Sequence, residues 1–508
     1  MTEFSRRSAL KAIGAVTASG LGLVAAKNAA ANVIAPEKWD RTCDVLVIGG
    51  GDAGMFAAVA AREAGADVIL LEKAPTLFAN SSSLSAGSSN ATGTKAQKAA
   101  GVNDTGNEKE FAAEIMKTGK GIADPVLVKL FAENSKYAMD WLTDHGVIFT
   151  PQANAAFRLK RMHGCDKHTG AQYVEVLAKA AKEIGVRIEM RTQAQELITN
   201  TAADEVLGVV ATRGKRKVSY RAKKAVIIAT GGFCGDVNLI DRYILDFKGA
   251  LTFSSMNSTG DGLKMACKIG AGTTHLNFAA VYAYGVPMDQ TGKSRRGWIY
   301  RGHVMNLYGS VTVGPDAKRF VNDDLGATSI SQAMHVKGFD KVYQVATEAQ
   351  LEDFMKNDAI QVIGWSQEEF RKEMKEQKVF IKKADTIEEL AQKLGLDPKA
   401  LASTLKRYDG FVKAGKDDDF GRKYIKGTFE KGPYYGFVCL PIAGISIGGL
   451  RVDGNLNVLD VYDKPIKRLL AAGEAIGGVH GGSYIGGNSV GASLTLGQLA
   501  GKLAAKLA

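Results

Sequence analysis

The residues best suited to chemistry in this chain are glycines grouped with a few acids and hydroxyls. Cys43-Asp44-Val45-Leu46-Val47-Ile48 has the continuous apolar character of a buried strand. Gly49-Gly50-Gly51-Asp52-Ala53-Gly54 follows at once, then an Ala-rich helix to about Gly65 and a second strand, Asp67 to Leu71, ending at Glu72. A G-x-G-x-x-G run that opens the helix of a βαβ unit is a dinucleotide fingerprint. Gly49 permits the tight turn, Gly51 lets a pyrophosphate approach, and Gly54 lets helix and strand pack closely. The helix N-terminus offers N–H groups and a positive dipole end to the phosphates. Glu72 stands where a carboxylate can accept from the adenosine ribose hydroxyls. The fingerprint alone leaves FAD and NAD both open.

Three more glycine turns narrow the choice. Val226-Ile227-Ile228-Ala229-Thr230-Gly231-Gly232 runs a strand into a turn, and Leu469-Leu470-Ala471-Ala472-Gly473-Glu474 repeats the pattern. Thr259-Gly260-Asp261-Gly262 opens an amphipathic helix through Gly270. With the Asn80–Thr94 loop, these segments resemble the FAD-containing fumarate reductase and flavocytochrome c flavoprotein family over nearly all of the chain after residue 40. The resemblance implies that Ala53, Glu72, Asn80, Ser81, Gly87, Ala194, Asp261, Glu474, Ser489 and Val490 surround FAD, with Lys73 beside Glu72 in the same set. Succinate dehydrogenase relatives carry a flavin-bonding histidine where this chain has Asn80-Ser81-Ser82-Ser83-Leu84-Ser85. The cofactor is therefore expected to be non-covalent FAD.

The family's dicarboxylate residues are missing. Lys318-Arg319-Phe320-Val321-Asn322-Asp323 matches its R-F-x-N-E landmark, yet the proton-donating arginine that should follow is replaced by Ala327. The landmark histidine before Thr-Met-Gly-Gly becomes Ile445, and the arginine of Asn-Arg-Leu-Gly-Gly-Asn becomes Tyr484. Fumarate is a poor expectation without these groups, because Arg–carboxylate pairing secures such anions. Tyr484 to Asn488 instead resembles the Tyr-x-Gly-x-Gly segment of ketosteroid dehydrogenases, whose tyrosine hydroxyl and a backbone N–H four residues on hold a ketone. Tyr484 and the Asn488 amide are thus candidates for stabilising an enolate. For the proton, the cap offers Tyr282, Tyr284, Tyr300, Arg301 and Tyr308. The Tyr300-Arg301 pair is attractive because a guanidinium lowers the pKa of a neighbouring phenol. Arg161-Met162-His163 with Asp166-Lys167-His168 reads as a surface loop.

These groups have to be positioned by an α/β architecture. The expected fold is a Rossmann-like FAD-binding domain in two sequence segments, 40–275 and 438–508, with an inserted α+β capping domain at 276–437. Ser366–Lys383 and Thr386–Gly415 read as solvated helix faces of that cap. At ~150 residues per domain, 508 residues suffice for this. The 58 glycines follow no period, so neither collagen nor a solenoid fits.

The first residues read as an address. Ser5-Arg6-Arg7-Ser8-Ala9-Leu10-Lys11 resembles a twin-arginine signal, followed by a mild apolar stretch, Ala12 to Ala26, and a small-residue site at Ala29-Ala30-Ala31. The stretch is too short to span a bilayer. Residues 1–31 are therefore expected to direct export by the twin-arginine translocase to the periplasm, with no stable membrane span. Their loss removes Arg6, Arg7, Lys11 and Lys27 against Glu3, so the net charge falls from +12 to +9. No Lys/Arg block with interleaved aromatics is present, which argues against nucleic acid. The five cysteines are scattered, giving no disulfide framework and no metal site. No Cys-x-x-Cys-His occurs, so electrons are expected from a separate c-type cytochrome. The expected activity is reduction of a C=C conjugated to a carbonyl, an enoate or enone, in a small substrate. The alternatives are a 3-ketosteroid-type 1,2-dehydrogenase and a flavin electron-transfer protein without catalysis.

Overall fold

Strand β1 (Arg41–Ile48) and strand β2 (Val68–Leu71) carry apolar side chains on both faces, and Val45, Leu46, Val47, Val68, Ile69 and Leu70 are all inaccessible to solvent. Runs covered on both sides are the mark of a parallel sheet under helices. The computed structural model describes residues 33–508 apart from 152–160, 168, 290–293 and 359. The expected signal at 1–31 and His168 lie outside the described residues. β1 runs parallel to β2, with Val45 opposite Val68 and Ile48 opposite Leu71. Helix α1 (Asp52–Glu63) connects them. β2 is flanked by β3 (Arg187–Glu189). An antiparallel meander, β4 (Thr192–Thr199), β5 (Val206–Arg213) and β6 (Arg216–Ile228), returns to the other side of β1, where Ile228 pairs with Ile48.

The chain then enters a second sheet in the order β8 (Gly297–Ile299), β7 (Ala279–Pro287), β12 (Tyr434–Ser446), β10 (Val342–Thr347), β9 (Val311–Val313), with β11 (Ile381–Ala384) also on β12. It has apolar clusters of its own, one around Tyr284, Tyr300, Phe370 and Phe437 and one around Leu390, Leu401, Leu405 and Tyr408. The expected boundary at 437/438 falls inside β12. This strand starts in the second sheet and ends at Ser446, against the first unit. The region read as solvated helix faces is more varied. Ser366 caps a helix (Gln367–Glu376) whose buried Glu373 accepts N–H bonds from Val379 and Phe380 at 2.7 and 3.0 Å, turning the chain into β11. The helices Ile387–Leu394 and Pro398–Ala414 bury Leu390, Leu401 and Leu405 on their inner faces.

Strand β13 (Pro465–Ala471) rejoins the first sheet parallel to β6, with Ile228 opposite Ala471. The last helix, Asn488–Lys506, lies on α1. A Cβ at Gly497 or Gly501 would stand 2.4 Å from the Ala53 carbonyl oxygen or 2.2 Å from that of Ala57. Only glycine admits so close a helix pair. The C-terminal ends of β1, β6 and β13 therefore converge beside two helix N-termini, the usual ligand position in open α/β sheets.

Candidate active site

A cavity of ≈ 360 Å³ runs from these strand ends to the second sheet. Gly49, Gly51, Ala53, Glu72, Lys73, Asn80, Ser81, Ala194, Asp261, Glu474, Ser489 and Val490 all line it. The turn after β1 is fixed by Glu72, whose two oxygens accept from the Gly50 and Ala74 amides, each at 2.7 Å. Asn80 donates to the Gly50 carbonyl at 3.2 Å and caps the short helix Ser81–Leu84 by accepting from the Ser83 amide at 2.9 Å. Lys73 is bound to Asp261 at 2.9 Å and to Thr259 at 2.8 Å, and hydrogen bonds from Thr259 and Lys73 hold the Asp261 carboxyl below its usual range.

Two expected positions lie outside the cavity wall. Gly54 packs under the turn, where a Cβ would come 1.9 Å from the Gly49 carbonyl oxygen, as its fingerprint role requires. Gly87 (φ +70°) packs beside the cavity, between Ala86 and Ser88, which line it. A Cβ there would strike the Cys165 sulfur at 2.4 Å, and its carbonyl accepts from the buried Tyr173 hydroxyl.

The arrangement fits FAD. At Gly51 the space a Cβ would take contains only the Ser82 hydroxyl, at 3.2 Å, so a pyrophosphate can reach the backbone. Asp52, which the motif passed over, starts α1 fully buried, and neither carboxylate oxygen has a hydrogen-bond partner. Removal from water raises its pKa to about 7. Glu474 also rises to about 7 through loss of water, although the Ser446 amide and hydroxyl donate to it at 2.7 and 3.0 Å. In the unfolded chain both acids titrate near pH 4. The folded state thus keeps protons that the unfolded state releases, so the contribution of these two acids to the stability of the FAD-free chain is complete below about pH 4 and is lost as pH rises to about 7. Urea midpoints of the chain and of Glu474→Gln check it: the variant is expected to gain relative to the unsubstituted chain as pH rises across this range.

At the far end the wall is formed by Phe253, Tyr282, Ile299, Ile363, Ile445 and Tyr484, with Met162, Arg301 and His303. Tyr484 sits over the start of the last helix. Its hydroxyl oxygen accepts from the Gly487 amide at 3.1 Å. Removal from water raises its pKa to about 12 against the opposing pull of the Gly487 and Ser489 amides. Tyr282, edge-on to Phe253 at 5.7 Å, has a hydroxyl with no protein hydrogen bond among the described residues. Its pKa lies well above 10 because it is removed from water and close to Tyr484. Arg301 donates through Nη1 to Asp358 at 2.5 Å and to the Ile360 carbonyl at 3.2 Å.

Two expected catalytic residues are not brought here. Tyr300 is fully buried in the cap core, stacked on Phe437 at 4.9 Å, with its hydroxyl on the Met305 sulfur at 2.7 Å. Burial raises its pKa well above 10, so the acidifying effect expected of Arg301 does not occur. Asn488 uses its amide on the Ile485 carbonyl at 3.0 Å and its side-chain oxygen on Asn90 at 2.7 Å. The helical turn that starts there consumes the donor expected for the substrate. Tyr284, also weighed for the proton, is likewise buried in the cap, bonded to Thr312 at 2.8 Å. Ala327 is buried at the start of its helix (Ala327–Val336), whereas Ile445 and Tyr484 face the cavity.

The segment read as a surface loop divides: Asp166 and Lys167 are exposed, whereas Arg161, Met162 and His163 are interior. Arg161 is buried and paired with Asp104, Glu110 and Glu114, Met162 reaches the cavity, and His163 bonds Thr94 at 2.7 Å. Two histidines escaped notice. His303 follows Arg301 by two residues, and loss of water together with the Arg301 charge depresses its pKa to about 3. His480 stands edge-on to Tyr484 at 5.6 Å, held neutral by removal from water with a pKa near 4. Among the described residues no cluster of ligating side chains could hold a metal ion, and no helix is long and apolar enough to cross a membrane.

Comparison with known proteins places this geometry. The model of the FAD binding domain family matches residues 44–490. A probable fumarate reductase of Shewanella frigidimarina is 34% identical over 471 residues, which is 92% of this chain and 75% of that protein. The acrylate reductase flavoprotein subunit of Shewanella woodyi is 27% identical, covering 98% of each chain. Among solved structures, the 3-ketosteroid-Δ4-(5α)-dehydrogenase of Rhodococcus jostii, in complex with 4-androstene-3,17-dione, superimposes with a TM-score of 0.75 at 25% identity, covering 94% of this chain and all of that one. The chain belongs to the FAD binding domain family, in the group of fumarate reductases and flavocytochromes c, and is an FAD-dependent oxidoreductase acting on C=C bonds.

Proposed function

We propose that this enzyme reduces the C=C bond of a small α,β-unsaturated carbonyl compound, with fumarate a poor substrate. Bound FAD, once reduced, supplies the hydride. The observation that carries the proposal is Tyr484. Its oxygen accepts from the Gly487 amide, and its O–H has no protein acceptor among the described residues, so it is placed to donate to a substrate. It gives that proton's hydrogen bond to the substrate carbonyl oxygen, where negative charge builds as hydride reaches the β-carbon. Tyr282, whose hydroxyl has no competing partner among the described residues, is positioned to protonate the α-carbon. Ile445 and Tyr484 stand where a dicarboxylate reductase needs a histidine and an arginine, which supports the exclusion of fumarate. The phenol pair serves the reverse direction equally well, so 1,2-dehydrogenation of a cyclic ketone is the second reading.

Non-covalent FAD follows from the absence of a histidine at Asn80–Ser85. The twin-arginine stretch supports a periplasmic site of action, and the lack of a haem-attachment motif supports a separate c-type cytochrome as electron donor. Anaerobic assay of the FAD-loaded protein with reduced methyl viologen tests the reading. Viologen oxidation is expected with conjugated enoates or enones and is expected to be slow with fumarate. Activity confined to quinone-coupled oxidation of saturated ketones would reverse the direction.

A further inference from the structure

Taking the site as a C=C reductase, on which this step rests, we infer that the substrate is a monocarboxylate whose double bond carries an aryl-sized apolar group, and that Arg301 binds its carboxylate. The charge inventory limits the anion to one. Among the described residues lining the cavity, the cations are Lys73 and Arg301. Lys73 is already committed to Asp261 and Thr259 beside the Glu72 turn, away from the second sheet. Arg301 is only half committed. Its Nη1 serves Asp358 and Ile360, while Nε and Nη2 have no protein hydrogen bond among the described residues. These two nitrogens form one edge of the guanidinium, the edge that takes a carboxylate in parallel bonds.

A second carboxylate would meet no compensating charge. Beyond Arg301 the titratable groups at this end of the cavity are Tyr282, Tyr484 and His303. The phenols are neutral, and His303 is held neutral by its surroundings. The rest of the wall is Phe253, Ile299, Ile363, Ile445 and Met162. Burying an unpaired carboxylate against such a surface is costly, whereas an aromatic ring gains there by leaving water.

The test uses the FAD-loaded enzyme and two readouts, perturbation of the oxidised flavin spectrum for Kd and viologen-coupled turnover. The probes are (E)-cinnamate, fumarate, acrylate and benzylideneacetone, the last a neutral ketone with the same phenyl-substituted double bond. Cinnamate is expected to bind ~100-fold more tightly than fumarate or acrylate. Arg301→Gln is expected to weaken cinnamate ~100-fold and benzylideneacetone less than ~3-fold, with Arg301→Lys between the two for cinnamate. Retained FAD absorbance in each variant shows that it has folded. Fumarate or acrylate binding as tightly as cinnamate would overturn the inference while leaving the reductase reading intact. Equal weakening of cinnamate and the ketone by Arg301→Gln would overturn the role of Arg301. Tight cinnamate binding without turnover of any unsaturated carbonyl compound would overturn the reductase reading and this one with it.

Discussion

Tyr484→Phe is expected to lower kcat for C=C reduction by about 10²–10³, with KM changing much less. That is the usual effect of removing one hydrogen-bond donor aimed at a developing oxyanion. The reason for a kcat effect is the state in which the bond matters. The Tyr484 hydroxyl meets a nearly neutral carbonyl oxygen in the bound substrate and a strongly charged one as the enolate forms, so its contribution grows along the reaction. The substitution keeps the ring, and with it the edge-on contact with His480 at 5.6 Å. What it removes from the protein is the acceptor of the Gly487 amide. Losing such a bond costs about 1 kcal/mol, too little to unfold a chain of this size. Steady-state kinetics with reduced methyl viologen, together with the FAD-to-protein absorbance ratio, separate the two effects. Unchanged kcat would show that Tyr484 only packs against the cofactor.

What could be read from the residues was whatever the local backbone decides. The Gly49–Glu72 unit was legible because strand, turn, helix and acid are contiguous, and each glycine answers to a nearby contact. The cavity-lining FAD residues were legible through resemblance, since a turn of given sequence brings the same atoms to the same ligand. Gly87 shows what that transfer leaves out, since its own closest packing is against Cys165, far away in sequence. The proton donor was harder. Tyr282 and Tyr300 lie on adjoining segments of the same cap sheet, and nothing in the sequence says which faces the cavity. Strand register decides it, placing Tyr282 opposite Ile442 at the cavity edge and Tyr300 between Phe437 and Phe370 in the cap core. The Asn488 amide is spent for a similar reason, because an amide is available only where no local carbonyl claims it. Arg161 and His163 looked like loop residues because their partners, Asp104, Glu114 and Thr94, come from distant segments.

The R-F-V-N-D landmark illustrates this limit and carries the largest expected change in stability. Read beside the missing arginine, it points toward catalysis, yet its Arg319 lies in the cap interior. Arg319 donates through Nε to Asp323 at 2.9 Å and through both terminal nitrogens to Asp417 at 3.1 and 2.7 Å. Asp323 also accepts from the Thr312 amide at 2.8 Å, and Asp417 from the Arg422 amide at 3.2 Å. Both aspartate side chains are inaccessible to solvent, and that of Arg319 is 4% exposed. Arg319→Leu is therefore expected to destabilise the protein by about 3–5 kcal/mol, because it strands two carboxylates of which, among the described residues, only Asp323 has a second guanidinium, Arg422, at 3.6 Å. The pH dependence identifies the cause. Hydrogen bonding and attraction from Arg319 hold the Asp417 carboxyl below its usual value, outweighing burial. Its contribution is thus complete above the unfolded pKa, near 4, and is lost as pH falls through the lower folded value. Removing Arg319 leaves burial opposed at Asp417 only by backbone amides, so this carboxyl takes up its proton at higher pH. The variant's deficit in urea midpoint is accordingly expected to be large at pH 7 and to shrink toward pH 4. A deficit that stays constant across this range would mean that lost packing against Tyr408 and Phe420, rather than charge, is responsible.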